Sequence, residues 1–216
     1  MKILFFLSVV TLIAVIGCQR SDIVQQRAGN DMTKEDAMTR KATFAGGCFW
    51  CTEAAYSIIR GVERIEPGYT GGTLPNPTYE EVSTGTTGHA EAAQIYFDPK
   101  VISFREILEI FFTMHDPTSL NRQGADVGTQ YRSAIFYNNQ FQKETAEKLI
   151  AELNQEQIWN KPIVTAVEQL KVFYNAETYH KDYYKKHPKE PYCQAVIAPK
   201  IAKLQAHFID KIKVPL

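Results

Sequence analysis

Thr43-Phe44-Ala45-Gly46-Gly47-Cys48-Phe49-Trp50-Cys51-Thr52-Glu53 holds the end of a strand, a turn and the start of a helix. Lys41 to Ala45 reads as a short strand. Gly46 and Gly47 then allow a tight turn and the close approach of a substrate. A helix follows from about Phe49 to Arg60, with Ala54, Ala55, Ile58 and Ile59 as its apolar stripe and Gly61 as its stop. Cys48 therefore stands at a helix N-terminus, where unpaired amides and the helix dipole favour a thiolate. Cys51 lies one turn later on the same side. Cys-x-x-Cys at a helix start is a redox signature, and its two sulfurs can join after small movements. Buried structural thiols are one alternative reading. Zinc is another, but it needs four ligands and the chain has no second such pair.

Working outward, Val62 to Glu66 reads as a strand, and Pro67 to Gly88 as a long irregular stretch rich in Gly, Pro, Thr and Asn. A loop of that length in a compact domain points to function. Ala90 to Phe97 alternates as a strand. Ser103 opens a helix with a capping box to Glu106, and Ile107, Leu108, Phe111 and Phe112 form its core face. A glycine-bearing loop, Asp116 to Gln130, leads into a strand from Tyr131 to Tyr137. A helix over Gln140 to Gln157, a strand over Ile163 to Leu170, and helical stretches near Ala176 to Lys186 and Pro199 to Ile212 complete the pattern. This mixture predicts an α+β two-layer domain, a mixed or antiparallel sheet covered by helices.

Within this frame Glu91 shares a strand face with Ala93, Ile95 and Phe97. Desolvation there would keep its carboxyl neutral and make it a proton donor beside a thiolate. The alternative is a glutamate at a strand edge, open to water. Tyr79 follows Pro75-Asn76-Pro77-Thr78 in the long loop, and Tyr131 follows Gly124-Ala125-Asp126; both stand where a site recruits hydrogen-bond donors. Phe49 and Trp50 could cage a methyl group beside Cys48, or be ordinary core. His89-x-Glu91 with a Cys-x-x-Cys superficially suggests a zinc deaminase, but the order of the two motifs is reversed.

The chain has 216 residues, and its positive and negative side chains cancel. Nothing in that balance argues for nucleic-acid binding. Four cysteines, at 18, 48, 51 and 193, are too few for a disulfide scaffold. Lys2 and an apolar run from Ile3 to Ile16 suit a secretory signal rather than a membrane span. Val15-Ile16-Gly17-Cys18 resembles the lipobox of bacterial lipoproteins, which implies cleavage before Cys18 and a lipid on it; a plain signal peptide is the alternative. The expected organisation is a signal over 1–17, a polar tether over 18–40 and a catalytic domain over 41–216. A tether of this kind reaches about 25 Å. Gln19 after Cys18 implies sorting to the outer membrane in a two-membrane cell. The expected location is therefore the bacterial envelope, on the periplasmic side of that membrane or another extracytoplasmic face.

The opening stretch Thr43 to Glu53 resembles the motif of A-type peptide-methionine sulfoxide reductases. So do Gly68-Tyr69-Thr70-Gly71-Gly72, Asn76 to Val82, Thr87-Gly88-His89-Ala90-Glu91-Ala92, His115-Asp116-Pro117-Thr118, Asp126 to Ile135, and Phe173 to Glu177 with Tyr179-His180. The likeness runs from about Thr43 to Cys193. It implies a ferredoxin-like core and reduction of the S epimer of methionine sulfoxide, free or in oxidised proteins. It implies Cys48 as nucleophile, Phe49 and Trp50 around the methyl group, Glu91 as proton donor, Tyr79 and Tyr131 on the sulfoxide oxygen, and Asp126 seating substrate and water. A thioredoxin-like donor would recharge the enzyme; no metal or organic cofactor is expected, and the chain is taken to act as a monomer. One departure stands out. Most relatives have Gly at the place of Cys51 and resolve the sulfenic acid with a C-terminal cysteine; here Tyr192-Cys193 resembles that site too, without its glycine-rich surroundings. Both Cys51 and Cys193 stay open as resolvers, with Cys51 favoured. A disulfide exchanger built on Cys48 and Cys51, and a non-enzymatic lipoprotein that binds oxidised proteins, are the competing classes.

Overall fold

The strand that leads to Cys48 is β1 (Lys41–Gly46), in a computed structural model that describes residues 40–213. The expected signal, the tether and Cys18 lie outside the described residues. β1 is buried on both faces from Ala42 to Ala45, as a central strand must be. It pairs antiparallel with β3 (Ala90–Phe97) on one side and β6 (Ser133–Tyr137) on the other. β2 (Val62–Thr70) runs antiparallel to the far edge of β3. α1 (Phe49–Ser57) joins β1 to β2, and α3 (Phe104–Met114) lies between β3 and β6; the short α2 (Tyr79–Ser83) sits in the β2–β3 connection. The chain order β-α-β-β-α-β with spatial order β6-β1-β3-β2 is the ferredoxin-like arrangement.

Two short strands widen this core. After α4 (Gln140–Gln155), β7 (Ala166–Gln169) adds in parallel to β6, and β8 (Phe173–Asn175) adds antiparallel to β2. The sheet is mixed, in the order β7-β6-β1-β3-β2-β8. One face is covered by α1 and α3: Ala55, Tyr56, Ile59, Ile107, Leu108 and Phe111 pack against Phe44, Ala93, Ile95 and Phe97. The other face carries the smaller Ala45, Ala90, Ala92 and Ala134 with Phe136. The α+β class and the helix-covered sheet are as expected. Ser103 caps α3 in a full capping box with Glu106, also as expected, and Thr78 caps α2 in the same way with Glu81.

Several boundaries differ from the sequence reading, for identifiable reasons. β2 runs on through Pro67 and Gly68 to Thr70, where an irregular stretch was expected. A Cβ on residue 68 would run into the Tyr174 carbonyl and the Phe173 ring, so this glycine lets β8 close on β2. α1 stops at Ser57, not Arg60, because Ile59 leaves the helix to bridge to Ile212. Tyr131 does not open a strand; it ends a 3₁₀ turn, Thr129–Tyr131, and β6 begins at Ser133. The helix expected near Ala176 to Lys186 is split into a 3₁₀ turn, Thr178–His180, and α5 (Tyr183–Lys186), with Asp182 left-handed between them at φ 56°. α6 (Ala198–His207) follows a π turn, Cys193–Ile197.

Phe111 is fully buried, with its ring centroid 4.8 Å from that of Phe44. Phe111→Ala is expected to cost about 3–5 kcal/mol in urea unfolding, against about 1 kcal/mol for loss of the α3 cap in Ser103→Ala. Equal costs would mean that the packing of α3 on β1 does not anchor the core.

Candidate active site

The turn between β1 and α1 is forced by its neighbours. Gly47 has φ +94°, and a Cβ there would strike the Gln123 side chain. That side chain is clamped in turn: its Oε1 accepts the Asp116 N–H and its Nε2 donates to the Asp116 carbonyl, each at 3.1 Å. Cys48 is the N-cap residue of α1, and its carbonyl accepts the Cys51 N–H at 3.1 Å. Cys48, Cys51 and Cys193 are free thiols buried in one cluster with Phe49, Tyr69, Val82 and Ile197. Trp50, Tyr79, Tyr131, Tyr183 and Tyr192 pack against that cluster, half-buried. The chain thus brings both proposed resolvers to the nucleophile.

The thiols do not divide their charge as the helix dipole alone suggests. The Cys48 side chain makes no capping hydrogen bond to the helix amides. Burial pushes its thiol well above the ordinary range, and its hydrogen bond to Cys51 and the charge of Glu91 push the same way. Cys51 moves the other way, down to about 6, through the hydrogen bond from Cys48 and, against the effect of burial, the nearby Lys200 ammonium. The two thiols lie one helical turn apart and titrate as a pair. The cation faces Cys51, whereas the carboxyl faces Cys48.

Glu91 is the second residue of β3 and sits opposite Tyr69 of β2. β3 is an inner strand, so water does not reach the side chain, which is 2% exposed; the alternative of an exposed strand-edge glutamate is overturned. Its Oε2 accepts the Phe49 N–H at 3.1 Å. Burial raises the carboxyl to about 8 despite that bond, and the charge of Asp126 adds to the rise. Glu91 is therefore protonated at neutral pH. Tyr79 and Tyr131 lie beside it: burial, then the Glu91 charge, raises both phenols, and Cys48 acts on both as well. They stay neutral donors. Tyr79, expected in a loop, is the first residue of α2, and its N–H donates to Glu177 Oε1 at 2.9 Å. Asp126, on the small hairpin of β4 (Arg122–Gln123) and β5 (Asp126–Val127), accepts the Tyr192 O–H at 2.8 Å. The Tyr192 oxygen also lies 3.8 Å from Cys51 Sγ.

Phe49 and Trp50 form an apolar wall next to Cys48. Phe49 is buried, with its centroid 5.9 Å from Tyr69 and 6.3 Å from Trp50. The Trp50 indole stacks on Tyr183 at 3.6 Å and 5° and donates its N–H to His180 Nδ1 at 3.2 Å. Tyr192, Glu177, His180, Tyr183 and Lys200 were given no role in the sequence reading. Glu177 and His180 fell within a family-like stretch, but no spacing signal could tie Glu177 to Tyr79 or His180 to Trp50 across sequence separations of 98 and 130. Among the described residues, no group of three or more His, Cys, Asp or Glu side chains is placed to hold a metal ion.

A plain thiol–disulfide exchanger can use a buried acid but has no use for two phenol donors gathered with it at the reactive sulfur. A thiol enzyme that removes an oxygen atom needs all three, because charge grows on that oxygen as it leaves. The fold and the site define a reductase of this class. Residues 40–212 match the family model described as peptide methionine sulfoxide reductase. The chain is 51% identical over 197 residues to the peptide methionine sulfoxide reductase MsrA of Deinococcus radiodurans, covering 91% of this chain and 96% of that protein. It is 57% identical over 173 residues to the MsrA of Saccharolobus solfataricus, covering 80% of this chain and 97% of that protein. The crystal structure of Mxr1 from Saccharomyces cerevisiae in reduced form superposes with a TM-score of 0.64 at 37% identity, over 71% of this chain and 88% of that one. The chain belongs to the peptide methionine sulfoxide reductase family, in its MsrA branch.

The Glu91 proton has a consequence for stability. The fold holds it more tightly than the unfolded chain, whose carboxyl titrates near 4.5. The resulting stability is complete below about pH 4.5 and is lost as pH rises toward about 8. Glu91→Gln carries no such proton. Its melting temperature relative to wild type should therefore climb across that window and level off above it. A difference that stays flat from pH 4 to 9 would mean an ionised Glu91.

Proposed function

We propose that this chain reduces the S epimer of methionine sulfoxide, free and in proteins, to methionine, with Cys48 as nucleophile. Reduction of methionine sulfoxide follows from the family; the observation that carries the assignment of the chemistry to this site is the protonated, buried Glu91 beside Cys48 and the two tyrosines. Cys48 passes its proton to the Cys51 thiolate as its sulfur bonds to the sulfoxide sulfur. The sulfoxide oxygen takes the Glu91 proton while the Tyr79 and Tyr131 hydroxyls stabilise its charge. The protonated oxygen then moves from the methionine sulfur to Cys48 Sγ as the transient sulfur–sulfur bond breaks, so methionine leaves as the thioether and Cys48 becomes a sulfenic acid. Cys51 then bonds to Cys48 Sγ; the sulfenic hydroxyl departs with the Cys51 proton as water, and a disulfide remains. Phe49 and Trp50 receive the methyl group, and Asp126 with Tyr192 orders the polar side of the pocket.

We take Cys51 as the first resolver. It is one helical turn from Cys48 and is held ionisable by Lys200. Cys193 is fully buried, and burial and Glu190 push its thiol up, so it suits a later step that passes the disulfide outward. A thioredoxin-like dithiol protein is the reductant we assign, and the chemistry calls for no metal or organic cofactor. The signal over 1–17, the lipid on Cys18 and the tether over 18–40 would place the 41–216 domain at an extracytoplasmic membrane face, acting as a monomer on oxidised envelope proteins.

Stoichiometric turnover without added thiol tests the sequence of steps. Cys48→Ser should release no methionine. Cys51→Ser, which also lacks the acceptor of the Cys48 proton, should release one equivalent more slowly and leave a sulfenic acid that dimedone traps. Release of methionine by Cys48→Ser, or rapid disulfide formation in Cys51→Ser, would overturn the respective role. Glu91→Gln should lower kcat/KM by about 10²–10⁴-fold. Wild-type activity should fall on the alkaline side near pH 8, as the Glu91 proton is lost. An alkaline limb that persists unchanged in Glu91→Gln would assign the proton elsewhere.

A further inference from the structure

Tyr79 and Tyr131 reach the site from separate parts of the chain: Tyr79 from α2, in the connection between β2 and β3, and Tyr131 from the 3₁₀ turn before β6. α2 has five residues, too few to be a stable support by itself. Two side chains join these segments. Gln130, directly before Tyr131, donates from Nε2 to the Ser83 carbonyl at 3.1 Å, and Thr129 donates its hydroxyl to the Gly85 carbonyl at 2.8 Å. Both acceptors lie at the end of α2, where helix carbonyls lack partners of their own. Ser83 stands one turn after Tyr79, and its side chain acts on the Tyr79 phenol. The turn itself is braced: the Tyr131 N–H donates to the Gly128 carbonyl at 3.0 Å, and Arg132 donates to the Thr129 carbonyl at 3.1 Å.

Gln130 is 5% exposed, and its Oε1 is buried with no hydrogen-bond partner among the described residues. A carbonyl only accepts, so the amide must turn its NH₂ to Ser83 and leave Oε1 over. The amide is wedged in place: a Cβ at Gly128 would collide with it, and one at Gly85 would come within 3.2 Å of Oε1. A buried acceptor without a donor is destabilising. Methionine, of similar length and without an amide, would fill the same space at no such cost. The Ser83 carbonyl belongs to an exposed residue that water can serve. Core packing therefore does not account for a glutamine here, whereas the bond to α2 does.

We propose that Gln130 is a positioning residue for the reduction: with Thr129 it locks the end of α2 to the turn that carries Tyr131, so that the Tyr79 and Tyr131 hydroxyls meet the sulfoxide oxygen as one rigid pair. This rests on the reading of the two tyrosines as donors to that oxygen. Donors aimed in advance at a developing charge act in the transition state, and a small misplacement costs rate before it costs binding. α2 is then held at both ends, by Glu177 at the Tyr79 N–H and by Gln130 at the Ser83 carbonyl.

The test sets activity against stability and asks through which residue the loss acts. Gln130→Met should melt within about 4 °C of wild type and lower kcat for a methionine sulfoxide peptide about ten- to a hundredfold, with KM nearly kept. In a Tyr79→Phe background the same change should cost at most about twofold, because the group it positions is already gone. Thr129→Val should show a smaller loss of the same kind, and Thr129→Ser, which keeps the hydroxyl, should recover most of it. The proposal fails if Gln130→Met turns over like wild type, or if it loses as much in Tyr79→Phe as with Tyr79 present. Should Gln130→Met not fold, Thr129→Val with and without Tyr79 decides by the same comparison. A readout without turnover separates this proposal from the functional reading. The tyrosine ¹³Cζ signal of Tyr79, assigned with Tyr79→Phe, should move in Gln130→Met, and a signal that stays in place overturns the tie. A wild type that reduces no sulfoxide would defeat the functional reading, while the tie is still judged by that signal.

Discussion

Burial of a single carboxyl sets the chemistry of this protein. Glu91 sits on an inner strand, and its one backbone donor, the Phe49 amide, comes from the first residue of the helix that Cys48 caps. That bond ties β3 to the start of α1 and so holds the carboxyl of Glu91, the proposed acid, near Cys48, the proposed nucleophile. A single amide recovers little of the hydration an ionised carboxylate loses, so the proton stays on. Had Glu91 accepted several amides, it would be a carboxylate at neutral pH and useless as an acid. Tyr79 and Tyr131, which approach from α2 and from the turn before β6, add donors and no positive charge. The polar side of the pocket is thus rich in protons and poor in cations, as suits an uncharged substrate that gains negative charge only as it reacts.

The two thiols obey the same logic in reverse. A thiolate held permanently on Cys48 would have to share a dry pocket with the developing oxyanion. Burial raises the Cys48 thiol, whereas its neighbour Cys48 and the Lys200 ammonium on α6 lower Cys51. In the proposed reaction Cys51 accepts the Cys48 proton and later loses it to water. Proximity and proton balance therefore both favour Cys51 over Cys193 for the first disulfide.

Much of this was legible in the sequence because it is local. The strand, glycine turn and helix around Cys48 follow from residues next to one another, as do the Ser103–Glu106 box and the alternation that places Glu91 on an apolar face. What escaped notice depends on distant segments. β8 is three residues long, too short to show a period, and exists because Gly68 lets it approach β2. The strand break expected at Pro67 does not occur, because that residue's carbonyl still accepts the Ala176 N–H from β8's far end. Capping of α1 could be located from sequence, but whether the Cys48 side chain would use the helix amides could not; that depends on where Cys51, Lys200 and Glu91 fall in space.

The segment from Phe173 to Lys200 closes the site from outside the ferredoxin-like core. β8 pairs with β2 at Tyr69, the strand position that faces Glu91. Glu177 and His180 then bind Tyr79 and Trp50, Tyr183 stacks on Trp50, Tyr192 bonds Asp126, and Lys200 faces Cys51. Each contact holds a group that the core supplies but leaves unsupported. Cys193 lies in the middle of this segment, on a π turn, a geometry associated with functional sites. The segment that would have to shift for Cys193 to take over the disulfide is thus the one that shapes the pocket. Moving it would loosen Tyr192 from Asp126 and Lys200 from Cys51 together.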